Sequence, residues 1–344
     1  MVYVGVVGYG TIGKRIADAI LKQDDMKLVG IAKTKPDYEA YIATSKGMNI
    51  YTIPNKIKLF EEKGIKVKGV IEDLVTKCDV IIDATPASIG MRNKDQYYLK
   101  YNTKVIFQGG EKAEVADVSF VAQANYEEAI GKRFIRVVSC NTTGISRIVA
   151  AFRDNGLEID KIRVFIIRRG ADPKESGKGP INDILLNPPT LPSHHAFDVK
   201  TVIPNIDILT MAIAVPETLM HLHMVYIMFK KPISREHVMD ILYKTPRIIT
   251  LRADMGFKSI AQVVEWARDI GRTRYDVPEN IIFEESVTVQ DKELFLFMAI
   301  HQESIVVPEN IDAIRASLNM LPKWSSIRKT DASLGLVQEG KKYG

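Results

Sequence analysis

The sequence predicts an α/β protein: a doubly wound parallel sheet first, then an α+β half whose sheet is mostly antiparallel. Two observations carry this reading. Short apolar runs alternate with amphipathic helical segments through residue 139, and beyond it that rhythm gives way to longer strands and a Gly/Pro-rich connection. A third observation is length: 344 residues, 26% charged and 46% hydrophobic, suit two domains that each bury a core. The same composition excludes a collagen, a low-complexity polymer or a disordered tail.

In chain order, residues 3–7 read as the opening strand and 11–21 as a helix with Ile12, Ile16, Ala19 and Ile20 on one face. Residues 27–32, 80–84, 105–107 and 135–139 continue the strand series. Residues 162–169 form one long strand, and 170–204 show little periodicity; connections of that length are usually functional or disordered. There follow a strand over 225–229, a helix opening at Ser234 and a strand over 248–251. The next helix opens with a Ser259/Gln262 capping box and closes at Gly271. Residues 281–289 and 294–300 read as a hairpin joined through Gln290, Asp291 and Lys292. A last helix after Pro308, carrying Ile311, Ile314 and Leu318, returns to the first domain. The domains expected are 1–139, completed by 303–344, and 140–302.

Lys plus Arg number 47 against 42 Asp plus Glu, a net charge of +5 with no dominant basic block. No nucleic-acid partner is implied, whereas small anionic substrates are favoured. Two cysteines, Cys78 and Cys140, build neither a disulfide framework nor a cysteine-rich zinc site, so no metal is expected and a reducing cytoplasm fits. No signal-peptide layout opens the sequence and no 18-residue apolar stretch occurs in it, so no membrane role is expected.

Gly8-Tyr9-Gly10-Thr11-Ile12-Gly13 follows the first strand and opens a helix. In the Rossmann fingerprint the first Gly makes the tight turn, the second admits a pyrophosphate to the backbone, and the third lets helix and strand pack closely. The next strand ends in Lys33-Thr34-Lys35, where an acidic residue would select a ribose 2′-hydroxyl. Two ammonium groups and a hydroxyl suit a 2′-phosphate, so NADP is expected alongside NAD. The alternative is a pair of solvated loop lysines.

Ser139-Cys140-Asn141-Thr142-Thr143-Gly144 lies between an apolar strand and a helical run. A thiol at a helix N-terminus meets unpaired N–H groups and the helix dipole, which favour thiolate. The alternative is a small buried hydrophobe, a reading that suits Cys78 better. A nucleotide fold combined with a nucleophilic Cys points to aldehyde oxidation through a thiohemiacetal and a thioester.

With these segments stand Gln108-Gly109-Gly110-Glu111, Arg168-Arg169-Gly170-Ala171-Asp172, Pro192-Ser193-His194-His195 and His301-Gln302-Glu303. Together they resemble the archaeal type of phosphorylating glyceraldehyde-3-phosphate dehydrogenase over almost the whole chain. Where the bacterial and eukaryotic type reads Cys-Thr-Thr-Asn, this chain reads Cys-Asn-Thr-Thr, so roles follow the archaeal pattern. The resemblance implies that Gly8, Gly10, Thr11, Ile12, Gly13, Thr85, Pro86 and Gly110 hold the dinucleotide. It places Gln302 at the nicotinamide carboxamide and Arg168 near the cofactor. Ser139, Asn141 and Thr142 would hold the aldehyde, and His194 and His195 the sugar phosphate; Arg169, by its chemistry, is a further candidate for that phosphate. Because strand neighbours point to opposite faces, Arg168 and Arg169 are not expected to grip one phosphate, and structural salt bridging is the alternative for either. His221 is chosen as the base that works with Cys140, with His223 nearby; core histidines are the alternative.

The activity so implied is reversible conversion of glyceraldehyde 3-phosphate and inorganic phosphate to 1,3-bisphosphoglycerate, in central carbon metabolism, by a homotetramer. A semialdehyde dehydrogenase such as an aspartate-semialdehyde enzyme is the enzyme rival. A redox-sensing nucleotide-binding regulator is the rival of another class.

Overall fold

The computed structural model describes residues 1–108 and 110–336. Gly109 of the Gln108–Glu111 motif, and residues 337–344 of the returning segment, lie outside the described residues. The chain forms two compact units, Met1–Ser139 with Val307–Leu334, and Cys140–Val306.

The first unit is built on eight strands: β1 (Val2–Val7), β2 (Met26–Ala32), β3 (Ile50–Thr52), β4 (Val67–Val70), β5 (Val80–Asp83), β6 (Lys104–Phe107), β7 (Val118–Phe120) and β8 (Phe134–Val137). They pair in parallel in the order β4-β3-β2-β1-β5-β6-β8-β7. Helices α1 (Gly13–Ile20), α2 (Tyr38–Ser45), α3 (Ile57–Glu62), α4 (Ile71–Val75), α5 (Ile89–Gln96) and α6 (Ala122–Asn125) connect them. The central strands β5 and β6 read VIID and KVIF and are almost wholly buried, as strands covered on both faces must be. The strand order reverses between β1 and β5, which makes their carboxyl ends the crevice where ligands bind in such sheets. β3, β4 and β7 are absent from the sequence reading; at three or four residues each they are too short to show periodicity.

The second unit opens with α7 (Cys140–Asp154). Its sheet contains β9 (Ile159–Arg169), β10 (Leu185–Leu186), β11 (Ile208–Val215), β12 (His221–Phe229), β13 (Ile248–Leu251), β14 (Asn280–Phe283), β15 (Thr288–Gln290) and β16 (Glu293–Ile300). The order is β10-β11-β9-β12-β16-β14-β13, with β15 beside β16. Pairing is antiparallel except for β9 with β11 and β13 with β14. Helices α8 (His194–Lys200), α9 (Arg235–Lys244) and α10 (Ile260–Asp269) complete it. β12 alternates, burying His221, His223, Val225, Ile227 and Phe229. Phe152 of α7 meets Phe229 edge to face at 5.4 Å, so the buried face of β12 lies under this helix.

Three expectations change here. The strand expected over 225–229 begins at His221, because His221 and His223 occupy inward positions of the same alternation. The single run 281–289 is broken by a 3₁₀ turn, Glu284–Ser286. The connection 170–204 contains α8 and the short β10.

The chain returns to the first unit at Val307 rather than at residue 303. Glu303 is held in the second unit by Arg169 at 2.9 Å, and Ser304 Oγ accepts from the Val277 N–H at 2.9 Å. The return consists of α11 (Val307–Ser317) and α12 (Lys323–Leu334). Buried Arg315 anchors α11, donating to Gln23 Oε1 at 2.7 Å, Thr330 Oγ1 at 2.6 Å and the Asp25 carboxylate at 2.9 and 3.0 Å.

Candidate active site

In the first unit the crevice at the end of β1 is made of backbone. Gly8 has φ +92, and a Cβ there would lie 2.7 Å from the carbonyl carbon of Ala84, which follows β5. At Gly13 a Cβ would lie 1.8 Å from Gly8 O, so the helix can approach the loop only through glycine. Gly10 differs: nothing lies within 4 Å of its Cβ position. Ile12 caps α1 without a side-chain hydrogen bond, and a helix N-terminus of that kind suits an anion. Thr85 follows β5, with its N–H donating to Asp83 Oδ1 at 3.0 Å and its hydroxyl to the same oxygen. Pro86 is exposed beside it, and Gly110 follows β6 with φ +78 and open space at its Cβ position.

Lys33 folds toward the glycine loop. Its ammonium donates to Tyr9 O at 3.1 Å and to Glu39 Oε2 at 2.8 Å, and lies 3.2 Å from Asp37 Oδ2. It thus braces the loop while paired with two carboxylates. Thr34 and Lys35 are exposed.

In the second unit Cys140 is the first residue of α7 and is half-buried. The helix terminus does not make it a thiolate at rest. Burial pushes the thiol up to about 11, opposed by the guanidinium groups of Arg168 and Arg169 and by the Asn141 N–H.

The two arginines at the end of β9 divide as strand alternation requires, Arg169 buried and Arg168 half-buried. Arg169 is enclosed: Nε donates to Gln302 Oε1 at 3.0 Å and Nη1 to Glu303 Oε1 at 2.9 Å, while Nη2 donates to Asp172 Oδ1. Every donor group of Arg169 is thus engaged within the protein, the structural salt bridging that is the alternative to a phosphate contact. Gln302 is held in the same cluster, donating to Asp172 Oδ1 at 3.4 Å. Arg168 is half-buried, and its Nη1 donates to Asn187 Oδ1. Its Nε has no partner and, among the described residues, it has no carboxylate partner.

His221 is buried, and its Nδ1 accepts the Arg169 N–H at 3.0 Å. A neutral ring then carries its proton on Nε2, which has no partner. Burial, then Arg169 and Arg168, hold its pKa well below the ordinary value. In this tautomer the ring offers a hydrogen-bond donor at Nε2. Asn141 lies between two imidazoles, with Nδ2 3.0 Å from His195 Nε2 and Oδ1 2.8 Å from His223 Nε2. His195 Nδ1 lies 3.2 Å from Ser193 Oγ, so both ring nitrogens have partners within the protein. His194, exposed, stacks on it with ring centroids 3.9 Å apart. Thr142 is buried and donates to Asp198 Oδ2 at 2.7 Å, a tie between α7 and α8. Ser139 is the last residue of the first unit.

A profile of the glyceraldehyde 3-phosphate dehydrogenase C-terminal domain matches residues 139–299, and one of the dihydrodipicolinate reductase N-terminus matches residues 2–124. Glyceraldehyde-3-phosphate dehydrogenases of Pyrobaculum neutrophilum and Pyrobaculum islandicum are each 57% identical over 344 residues, covering 100% of both chains. That of Saccharolobus islandicus (strain M.16.27) is 52% identical over 338 residues, 98% of this chain and 99% of its own. The chain belongs to the glyceraldehyde-3-phosphate dehydrogenase family.

Family membership makes it an oxidoreductase that works with a nicotinamide cofactor. The open Gly10, the close approach of Gly13 to Gly8 and the uncapped start of α1 fit a dinucleotide. Asp83 and Glu39 were missed in the sequence. Asp83 is buried and takes Thr85 on one oxygen, Asn93 Nδ2 at 2.8 Å and Tyr98 OH at 2.7 Å on the other. A carboxylate closing the apolar run of β5 was its available signal. Glu39, which also meets Lys14 at 3.3 Å, has no such signal, since its role depends on Lys33 folding back.

Proposed function

We propose that this chain is a phosphorylating glyceraldehyde-3-phosphate dehydrogenase with Cys140 as nucleophile, acting reversibly on glyceraldehyde 3-phosphate in central carbon metabolism. The observation that carries this reading is a half-buried thiol heading α7, subject to the positive charge of both arginines, in a unit that also holds the partnerless Nε2–H of His221.

The thiol adds across the aldehyde. The S–C bond forms, and the thiol proton moves through solvent to the carbonyl oxygen, giving a thiohemiacetal. His221 Nε2–H donates to that oxygen as charge develops on it. When bound, a nicotinamide dinucleotide supplies the hydride acceptor, and the hydroxyl proton leaves to solvent. Inorganic phosphate attacks the thioester left on Cys140: the C–O bond of the acyl phosphate forms, the C–S bond breaks, and sulfur regains a proton. Arg168 balances the phosphate charges, with His194 as the second contact for the sugar phosphate. Both NAD and NADP are accepted, and Thr34 and Lys35 are the residues that would meet a ribose 2′-phosphate.

A homotetramer in the cytoplasm completes the reading. Exposed Phe165, Met224 and Phe297 form one row across β9, β12 and β16, an apolar face that self-association covers. Among the described residues no helix is long and apolar enough to cross a membrane.

The test is NAD(P)H formation from glyceraldehyde 3-phosphate with and without inorganic phosphate, beside aspartate semialdehyde. Phosphate-dependent turnover of the triose phosphate supports the proposal. Preference for the semialdehyde favours the enzyme rival, and nucleotide binding without turnover favours a regulator.

A further inference from the structure

Two side-chain ties join the head of α7, which carries Cys140, to α8, which carries His194. One is Thr142 to Asp198 at 2.7 Å; the other is Asn141 to His195 at 3.0 Å. The second has a direction only because His223, on β12, lies at the far side of the amide, 2.8 Å from Asn141 Oδ1.

An amide between two imidazoles admits two consistent proton arrangements. In the first, His223 Nε2–H donates to Asn141 Oδ1, and Asn141 Nδ2–H donates to His195 Nε2. The His195 proton then sits on Nδ1 and points to Ser193 Oγ at 3.2 Å. Ser193 Oγ passes its own proton to Thr210 Oγ1 at 2.6 Å. Thr210 Oγ1 donates to Ser193 O at 3.2 Å and accepts the Ala196 N–H at 3.1 Å. Apart from the second amide proton of Asn141, which is common to both arrangements, every donor in this line has an acceptor. In the second arrangement the amide is turned over, His195 donates from Nε2, and His223 accepts there, which places the His223 proton on Nδ1. That nitrogen is buried with no partner. Orphaned buried N–H groups are rarer in proteins than orphaned acceptors, so the surroundings of His223 select the first arrangement.

We propose that His223 is a positioning residue: by choosing the orientation of the Asn141 carboxamide it fixes His195 as the Nδ1–H tautomer and locks α8 to the head of α7. The His195 ring supports His194 from 3.9 Å away. The chain His223–Asn141–His195–His194 thus sets the span between the nucleophile and the contact for the anionic end of the substrate. This rests on the reading of His194 as a phosphate contact.

The experiment compares the full-length enzyme with its His223→Leu and His223→Gln variants on glyceraldehyde 3-phosphate and on unphosphorylated glyceraldehyde. Nitrogen-15 spectra of histidine-labelled protein, assigned with His195→Gln, report the His195 tautomer. For His223→Leu, kcat/KM on the phosphorylated substrate should fall by roughly tenfold to a hundredfold, the cost of a misplaced anchor. On glyceraldehyde it should stay nearly unchanged, and His195 should move to the Nε2–H form. The amide donor of His223→Gln should restore both readouts. If His223→Leu does not fold, Thr142→Val cuts the parallel tie and undergoes the same two-substrate comparison. Equal losses on both aldehydes, or an unchanged His195 tautomer, would overturn the proposal. If the unmodified enzyme does not distinguish the two aldehydes, the phosphate-contact reading fails instead, and the tautomer readout still decides the role of His223.

Discussion

The crevice in the first unit and the thiol site in the second are built from different materials. At the crevice, Gly8, Gly10 and Gly13 act by having no side chain, and the groups offered to a ligand are backbone N–H. At the thiol site nearly every polar side chain is engaged with another: Arg169 with Gln302, Glu303 and Asp172, Asn141 with His195 and His223, Thr142 with Asp198. The difference teaches that in a site made of side chains, residue type does not determine role. Internal hydrogen bonding bears on it, and among the groups it leaves over are the Arg168 Nε and the Nε2–H of His221.

The largest effect should come from the backbone site. Gly13→Ala places a methyl group against Gly8 O and should weaken dinucleotide binding by about 10³-fold, some 4 kcal/mol, measured by cofactor fluorescence titration; thermal melting checks that the second unit stays folded. Next come the paired arginines. Arg169→Met strips Glu303 of its buried partner and should lower unfolding stability by about 3–5 kcal/mol in denaturant titration. Arg168→Met should leave the denaturation midpoint nearly unmoved and lower kcat/KM by roughly thirtyfold, about 2 kcal/mol for a lost charged hydrogen bond. The reverse pattern would return Arg169 to the substrate.

This pair shows what was legible in the sequence. The Gly8–Gly13 loop was, because steric exclusion of a side chain depends only on local backbone. Cys140 at a strand–helix junction was too, and so was the opposition of Arg168 and Arg169, which follows from the period of a strand. Which of the two faces inward was not, since Glu303 and Gln302 come from a distant part of the chain. The tautomer of His221 was hidden for a similar reason: its Nδ1 is taken by a backbone N–H on the neighbouring strand, 52 positions away.

Smaller effects sharpen the contrast. A thiol raised to about 11 carries little thiolate at neutral pH, so alkylation of Cys140 by iodoacetamide should climb about tenfold per pH unit between pH 7 and pH 9. Peptide mass spectrometry separates it from Cys78; a plateau near neutrality would mean that the arginines outweigh burial. Last, Lys35→Ala should raise KM for NADP a few-fold and leave that for NAD unchanged, the loss of about 1 kcal/mol from an exposed charge. Lys33→Ala, by loosening the glycine loop, should affect both cofactors.

The acyl group on Cys140 is the most direct test. Mixed with glyceraldehyde 3-phosphate and oxidised cofactor in phosphate-free buffer, then quenched in acid, the protein should carry one 3-phosphoglyceroyl group, mapped to Cys140 by peptide mass spectrometry. Adding inorganic phosphate before the quench should discharge it. An unmodified Cys140 under conditions of turnover, or an acyl group on another residue, would contradict the account.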